Sequence, residues 1–462
     1  MTHRPFSRFM RWFTALLGTY LALAATLTTT VDPWRINGAP WAMDSLDKSR
    51  EISKTRRVGK AALANRGTWQ AVILGSSRIE IGLDPTHPAL PQPRTVNLAM
   101  SGATLYETVA TGNYAMDRNP QLKTLIFGLD PGDLHNDADS RTSNQYYQSP
   151  LADNNRSLER RISQIVGWRA FAESIATLRR YSKGIRPIFG PLGQMCQPEV
   201  HENLRTFVES MPFENQVDQW NLRAQILRQQ KAQLLARFIA RVRQAGIEMF
   251  LVIPPQHALK QIHPTADRPD IMGWEIDLRA LVDICRLANT ATNGPPVQLW
   301  SFLTFNAYTT TPMPVPGAPC QAMPSWCDLG HSSNELGNRV LDTLFAGRPG
   351  AATVPDSANL TSFREHGGQK IPPEGGTTYL PMNADSSVGS PAFRRTLSSQ
   401  ISPKLAPFTT APGPVGVNLL AGDWKAIRSA WIEDHRQYCL SHPLDVAWWR
   451  ELAARRRSNK QS

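Results

Sequence analysis

Acyl transfer by a side-chain nucleophile needs an alcohol, an imidazole to take its proton and a carboxylate to hold that imidazole in one tautomer. Two stretches of this chain supply those types. In "AVILGSSRIEIGLDP", Ala71 to Pro85, an apolar run ends in Gly75-Ser76-Ser77-Arg78, a turn with hydroxyls at its tip. In "WCDLGHSSNELGNRVLDTLF", Asp328 precedes His331 by three residues, near enough for one carboxylate to orient the ring. Each has a plainer reading: a tight turn, and a polar loop whose Asp and His bond the local backbone. Ser332 and Glu335 have the spacing of a capping box and open a helix.

A third requirement is a set of donors placed where negative charge develops. In "VNLAMSGATLYE", Asn97 closes a strand-like run and Gly102 lies in the loop ahead of a helix. A glycine there lets a backbone N–H approach a substrate closely, or it serves only the turn. Arg78 could bind an acidic substrate group or form a salt bridge inside the fold. His257, in "IPPQHALK", follows a strand and reads as a substrate contact or a surface-loop histidine. The run "DPGDLHNDADS" gathers Asp130, Asp133, His135, Asp137 and Asp139. It lacks the glycine and final glutamate of an EF-hand loop, and no HExxH occurs, so it reads as a solvated acidic loop. No metal and no cofactor are expected.

Such residues need elements to position them. Five short strand-like runs, 70–75, 94–99, 123–128, 247–253 and 297–302, are separated by helical stretches near 101–117, 157–183, 216–245, 271–291 and 333–346. That alternation predicts an α/β fold with a doubly wound, mostly parallel five-stranded sheet covered on both faces. Ligands of such folds meet the loops after the carboxyl ends of the strands. Ser77, Gly102, Asp130 and His257 all fall in such loops.

The chain has 462 residues and 41% hydrophobic content, enough for a large domain with extensions. Its net charge of +12 suits anionic partners such as lipid headgroups or acidic glycans. No basic stripe interleaved with aromatics marks a nucleic-acid binder, so no nucleic acid is expected. The five cysteines form no CxxC pair; Cys320 and Cys327 are close enough to bridge in an oxidising compartment. "MTHRPFSRFMR" carries arginines and no acid, and Trp12 to Val31 follows without a charge. A span of about twenty such residues crosses a bilayer. The flanking arginines keep the N-terminus cytoplasmic and export the remainder. A cleaved signal peptide, with Ala22-Leu23-Ala24 near the cleavage site, is the competing reading. The resulting division is 1–31 anchor, 32–68 connector, 69–347 catalytic-type domain with insertions near 129–156 and 184–215, and 348–420 a flexible Pro/Gly/Ser/Thr-rich segment. Residues 421–462 form a helical Trp/Arg-rich end that either packs on the domain or docks to a membrane.

In this order the blocks resemble the SGNH (GDSL-type) hydrolase superfamily, over roughly residues 68–347. Gly75-Ser76-Ser77 stands where the family has its Gly-Asp-Ser block, which makes Ser77 the nucleophile. Asp328-Leu329-Gly330-His331 matches its Asp-x-x-His block, and Gly102 its second-block glycine, an oxyanion donor. The anchor makes the chain most similar to the membrane-anchored exported branch, tied to polysaccharide O-acetylation and teichoic-acid D-alanylation. The resemblance implies a flavodoxin-like SGNH-type fold and a serine esterase or O-acyltransferase in the inner membrane. Its domain would lie on the periplasmic side, acting on a cell-envelope glycan or acyl ester, with an integral acyltransferase as a candidate partner. One departure stands out: Asp130, in Gly128-Leu129-Asp130-Pro131, replaces the family's asparagine donor. A carboxylate accepts hydrogen bonds only. That keeps open an inactive scaffold that binds polysaccharide or an acyltransferase partner.

Overall fold

We describe a computed structural model covering residues 4–36, 46, 49–50, 56–66, 68–137, 143–152, 157–185, 188–195, 204–210, 222–262, 275–314, 323–346 and 415–461. Cys196, Cys320, Asp139 and most of the 348–420 segment lie outside these residues.

The strands are β1 (Ala71–Leu74), β2 (Thr95–Asn97), β3 (Thr124–Gly128), β4 (Glu248–Ile253), β5 (Gln298–Ser301) and β6 (Val417–Asn418). Helices α1 (Arg4–Val31) and α2 (Arg56–Ala64) precede the sheet; α3 (Ser77–Gly82) and α4 (Leu105–Arg118) follow β1 and β2. Between β3 and β4 come α5 (Asn144–Tyr147), α6 (Ser157–Val166), α7 (Trp168–Ser182), α8 (Leu204–Ser210) and α9 (Leu222–Gln244). The rest are α10 (Glu275–Ala291), α11 (Asn334–Leu344), α12 (Trp424–Ser441) and α13 (Pro443–Gln461).

The strand order is β2-β1-β3-β4-β5-β6. The first five strands are parallel, and β6 pairs antiparallel with β5 through Trp300↔Asn418 and Ser301↔Val417. Among the described residues the sheet therefore has six strands where sequence patterning gives five. The sixth comes from the C-terminal extension, and two residues are too few to carry a periodicity. Its pairing covers a β5 edge that would otherwise present open backbone groups.

Alternation along the strands divides the core into two faces. Val72, Leu74, Leu125 and Phe127 pack under α4 and α9, with the Phe127 and Phe238 rings 5.4 Å apart. Ile73, Ile126, Phe250 and Val252 pack against Val340, Leu341 and Phe345, with the Phe250 and Phe345 rings 5.0 Å apart edge to face. Helix α2 is a helical piece of the stretch read as connector, and its Leu63 and Ala64 join the first of these faces.

The C-terminal helices pack on the domain. Trp431 enters the main core, while Tyr438, Trp448 and Trp449 cluster with Leu259, Trp326 and Leu329. These tryptophans are buried against the protein, which removes them from the membrane-docking reading.

Helix α1 is long and apolar enough to cross a membrane, over Phe6–Val31 at a mean hydropathy of 1.4. Its second half is not isolated: Tyr20 donates a hydrogen bond to the Val166 carbonyl at 3.2 Å and meets the Phe171 ring edge-on.

Candidate active site

The serine turn is built by sterics. Gly75 has φ +148°, a conformation that side chains avoid, and a Cβ there would lie 2.7 Å from Ile79 Cγ1. The chain thus leaves β1 sharply and enters α3. Ser76 takes the N-cap, its side chain accepting from Arg78 N at 3.3 Å. Ser77, the first helical residue, keeps its hydroxyl for other partners. The two hydroxyls are thereby separated in role: one caps the helix and one faces the site.

Ser77 Oγ lies 2.8 Å from His331 Nε2, and His331 Nδ1 lies 2.7 Å from Asp328 Oδ2. The other oxygen, Asp328 Oδ1, accepts from the Gly330 and His331 amides at 2.6 and 2.9 Å. The carboxylate therefore fixes both ring and backbone of the base. Burial alone would push the Asp328 carboxyl up. The hydrogen bond and charge of His331, the Gly330 amide and nearby Lys260 outweigh it and hold Asp328 down to about 2.

The loop carrying them is tied on several sides. The Cys327 amide donates to the His331 carbonyl at 2.8 Å, and Trp326 pairs with Ser332 across an antiparallel bridge. The His257 amide donates to the Leu329 carbonyl at 3.0 Å. The α11 N-cap is Ser333, one residue later than the capping-box spacing predicts, and it makes no side-chain cap bond. Ser332 instead packs against α3, its hydroxyl occupying the space a Cβ on Gly82 would take.

The loop after β2 closes on the serine turn at two points. The Met100 amide donates to the Gly75 carbonyl at 2.9 Å. Ser101 donates to Glu80 Oε2 through both its amide, at 2.9 Å, and its hydroxyl, at 2.6 Å. Gly102 follows at φ +69° with open space where a Cβ would be.

Asn97 does not supply an oxyanion donor. Its Nδ2 donates to the Ile79 and Leu83 carbonyls at 3.1 and 3.0 Å, and its Oδ1 accepts from Ala99 N at 3.0 Å. Fully buried, it satisfies the carbonyl end of α3 rather than facing a ligand. His257 is likewise structural. Its Nδ1 accepts from Leu259 N, Nε2 lies 2.7 Å from the Thr311 carbonyl, and burial pushes the imidazole down to about 4.

Asp130 is not an isolated charge. Arg78 Nη1 lies 3.3 Å from its Oδ1, so Arg78 serves the internal salt bridge rather than an open anion site. With its amide turned so that both ends are satisfied, Gln256 accepts from Arg78 Nη1 and Nη2 at 2.9 and 3.2 Å. A Cβ on Gly330 would stand 3.1 Å from Lys260 Nζ and 3.8 Å from Arg78 Nε, so two cations flank the Asp328 loop.

The acidic stretch after β3 is only partly the solvated loop its composition predicts: Asp137 is exposed, while Asp133 and His135 turn inward. Burial, reinforced by Asp130, pushes the Asp133 carboxyl up to about 8, while its Oδ2 accepts from Asp130 N at 2.9 Å. His135 is buried with Nδ1 2.6 Å from Asp277, which also receives Arg228 at 2.6 Å. Helices α9 and α10 close over this loop, a contact no local pattern announces.

Sequence reasoning missed Glu80 and Lys60. Both are fully buried, with Lys60 Nζ 3.3 Å from Glu80 Oε1 and donating to the Asn97 and Gly193 carbonyls. Burial pushes the Lys60 ammonium down to about 8. The available signal was an acid between two isoleucines, Ile79-Glu80-Ile81, directly after the serine turn.

The arrangement can deprotonate an alcohol and hold the imidazolium that results. Comparison with family models, curated proteins and solved structures gives no match for this chain, so the site is read from its geometry alone.

Proposed function

We propose that this chain is a membrane-anchored, exported serine acyl-transfer enzyme of the SGNH type, acting on a cell-envelope glycan. The observation that carries the reading is the unbroken line from Ser77 Oγ to His331 Nε2 and from His331 Nδ1 to Asp328. His331 takes the Ser77 proton as Oγ attacks an acyl ester, and Asp328 steadies the imidazolium. The Ser77 and Gly102 amides stand as donors to the tetrahedral oxyanion. His331 returns the proton to the departing alcohol. The acyl group on Ser77 then passes to water or to a glycan hydroxyl, with His331 as base again. The five parallel strands in 2-1-3-4-5 order support the fold assignment, with the serine at the β1/β3 switch point. Helix α1 with its leading arginines supports anchoring in the inner membrane with the domain outside.

A serine-directed fluorophosphonate probe tests the chemistry on the full chain. Labelling should be abolished by Ser77→Ala and retained in Ser76→Ala. Absence of labelling in folded protein would leave the second reading, a glycan-binding scaffold. Asp130, an acid where the resemblance asks for an amide, favours that alternative.

A further inference from the structure

The exposed apolar residues of α1 run from Phe6 to Leu23, through Phe9, Phe13, Leu16 and Leu17. At 1.5 Å per residue that band is about 27 Å long, close to the roughly 30 Å of a bilayer's hydrocarbon. Beyond it α1 changes character. Ala24, Thr28 and Val31 are buried, and α6 and α7 pack along this part of the helix. Contact begins at Tyr20, whose hydroxyl bonds the Val166 carbonyl at the α6–α7 junction. Tyr20 is three residues inside the band, so the junction sits about 5 Å below the hydrocarbon boundary.

The surface that α6 and α7 turn away from the protein carries large apolar side chains, with Trp168 closest to that junction. Leu158 and Ile162 are exposed one helical turn apart on α6, and Trp168 and Ile175 are exposed on α7. Trp168 is 69% exposed beside the junction, an unusual state for indole in water but its preferred one at a membrane interface. Arg161, Arg169, Arg179 and Lys183 are exposed on these two helices against one exposed acid, Glu159, a balance that suits anionic headgroups.

We propose that α6 and α7 form an interfacial hairpin, with Leu158, Ile162, Trp168 and Ile175 embedded in the lipid leaflet on the exported side. Its occupant is lipid because the α6–α7 junction is held against Tyr20, inside the exposed apolar band of α1. With α1 this gives the domain two attachments instead of one swivelling tether, so the sheet is held at a fixed height over the surface. The inference rests on the anchor part of the proposed function and not on its chemistry.

The test uses the full chain in nanodiscs containing anionic phospholipid. An environment-sensitive dye is attached through Ile162→Cys or Trp168→Cys, with signal from the native thiols subtracted. Lipids bearing a nitroxide at acyl carbon 5 or 12 act as quenchers. Leu222→Cys, at an exposed position on α9, reports the solvent baseline, and Leu16→Cys reports the bilayer interior. Quenching at Ile162 and Trp168 at least twofold above Leu222, and stronger from carbon 5 than from carbon 12, supports the hairpin. If Leu16 is quenched while Ile162 and Trp168 stay at the baseline, the hairpin proposal falls and the anchor stands. If Leu16 is also unquenched, the anchor reading itself falls and takes the hairpin with it.

Discussion

The carboxylate of Asp328 divides its oxygens between the ring and the backbone of His331, Oδ2 to Nδ1 at 2.7 Å and Oδ1 to the amide at 2.9 Å. Asp328→Asn keeps the volume, but its oxygen is needed by the Gly330 and His331 amides, so its NH2 faces Nδ1 and favours the wrong tautomer. We expect kcat/KM on an acetyl ester to fall on the order of 10³- to 10⁴-fold with the fold retained. Near-wild-type turnover in this variant would remove Asp328 from the site.

The same carboxylate predicts an acid limb in stability. Its folded-state pKa, about 2, lies below the usual 3.8, so the stabilisation is complete above the unfolded value. It is lost as pH falls from about 4 through 2. The contribution is roughly 2–3 kcal/mol at neutral pH. Denaturant titrations should therefore show a shallower acid dependence in Asp328→Asn than in the parent between pH 4 and 2.

Close packing under the serine turn makes the next case. A Cβ on Gly128 would fall 2.2 Å from Ile79 Cγ1. Gly128→Ala should cost about 1–3 kcal/mol through overpacking, and Ile79→Ala about 2–5 kcal/mol through the void it leaves. In Gly128→Ala/Ile79→Ala the new methyl enters that void, so the double variant should cost less than the sum. Additive losses would mean that the turn is shaped by something other than this contact.

These examples mark what was legible in the sequence. The Gly75-Ser77 and Asp328–His331 segments stand out because acyl transfer needs particular side chains in short, ordered blocks. The parallel strands stand out because burial on both faces leaves runs such as Val72-Ile73-Leu74. Asn97 misled because an amide at a strand end reads alike whether it faces ligand or caps a helix. The Lys60–Glu80 pair was hidden because a buried charge is explained only by a partner elsewhere in the chain. Strand β6 was hidden by its brevity, and its pairing is decided by β5.

Arg78 and Asp130 offer a test of how the site tolerates an acid. With Arg78 beside it, the carboxylate's field is largely cancelled; without Arg78, that field would oppose a developing oxyanion. Arg78→Ala should thus lower kcat/KM more than Asp130→Asn does. Arg78→Ala/Asp130→Asn should recover part of the loss, because it removes the uncompensated charge. A double variant no better than Arg78→Ala would show that Arg78 acts independently of Asp130.

Lys60 contributes a signal at the alkaline end. Burial lowers its pKa to about 8 from the usual 10.5, so between those values the unfolded chain binds the extra proton. Its contribution to stability therefore rises with pH across that window. Removing the cation leaves Glu80 buried with an uncompensated charge, and Glu80 also holds both donors of Ser101. Lys60→Met should destabilise the fold at neutral pH and slow fluorophosphonate labelling of Ser77, since the carboxylate that holds Ser101 loses its counter-charge and the Asn97 carbonyl its donor. Lys60→Met/Glu80→Gln should regain stability, because a neutral amide can still accept from Ser101. If stability returns but labelling does not, the ionised carboxylate of Glu80 sets the loop's position; if neither returns, Lys60 acts through its bonds to the Asn97 and Gly193 carbonyls.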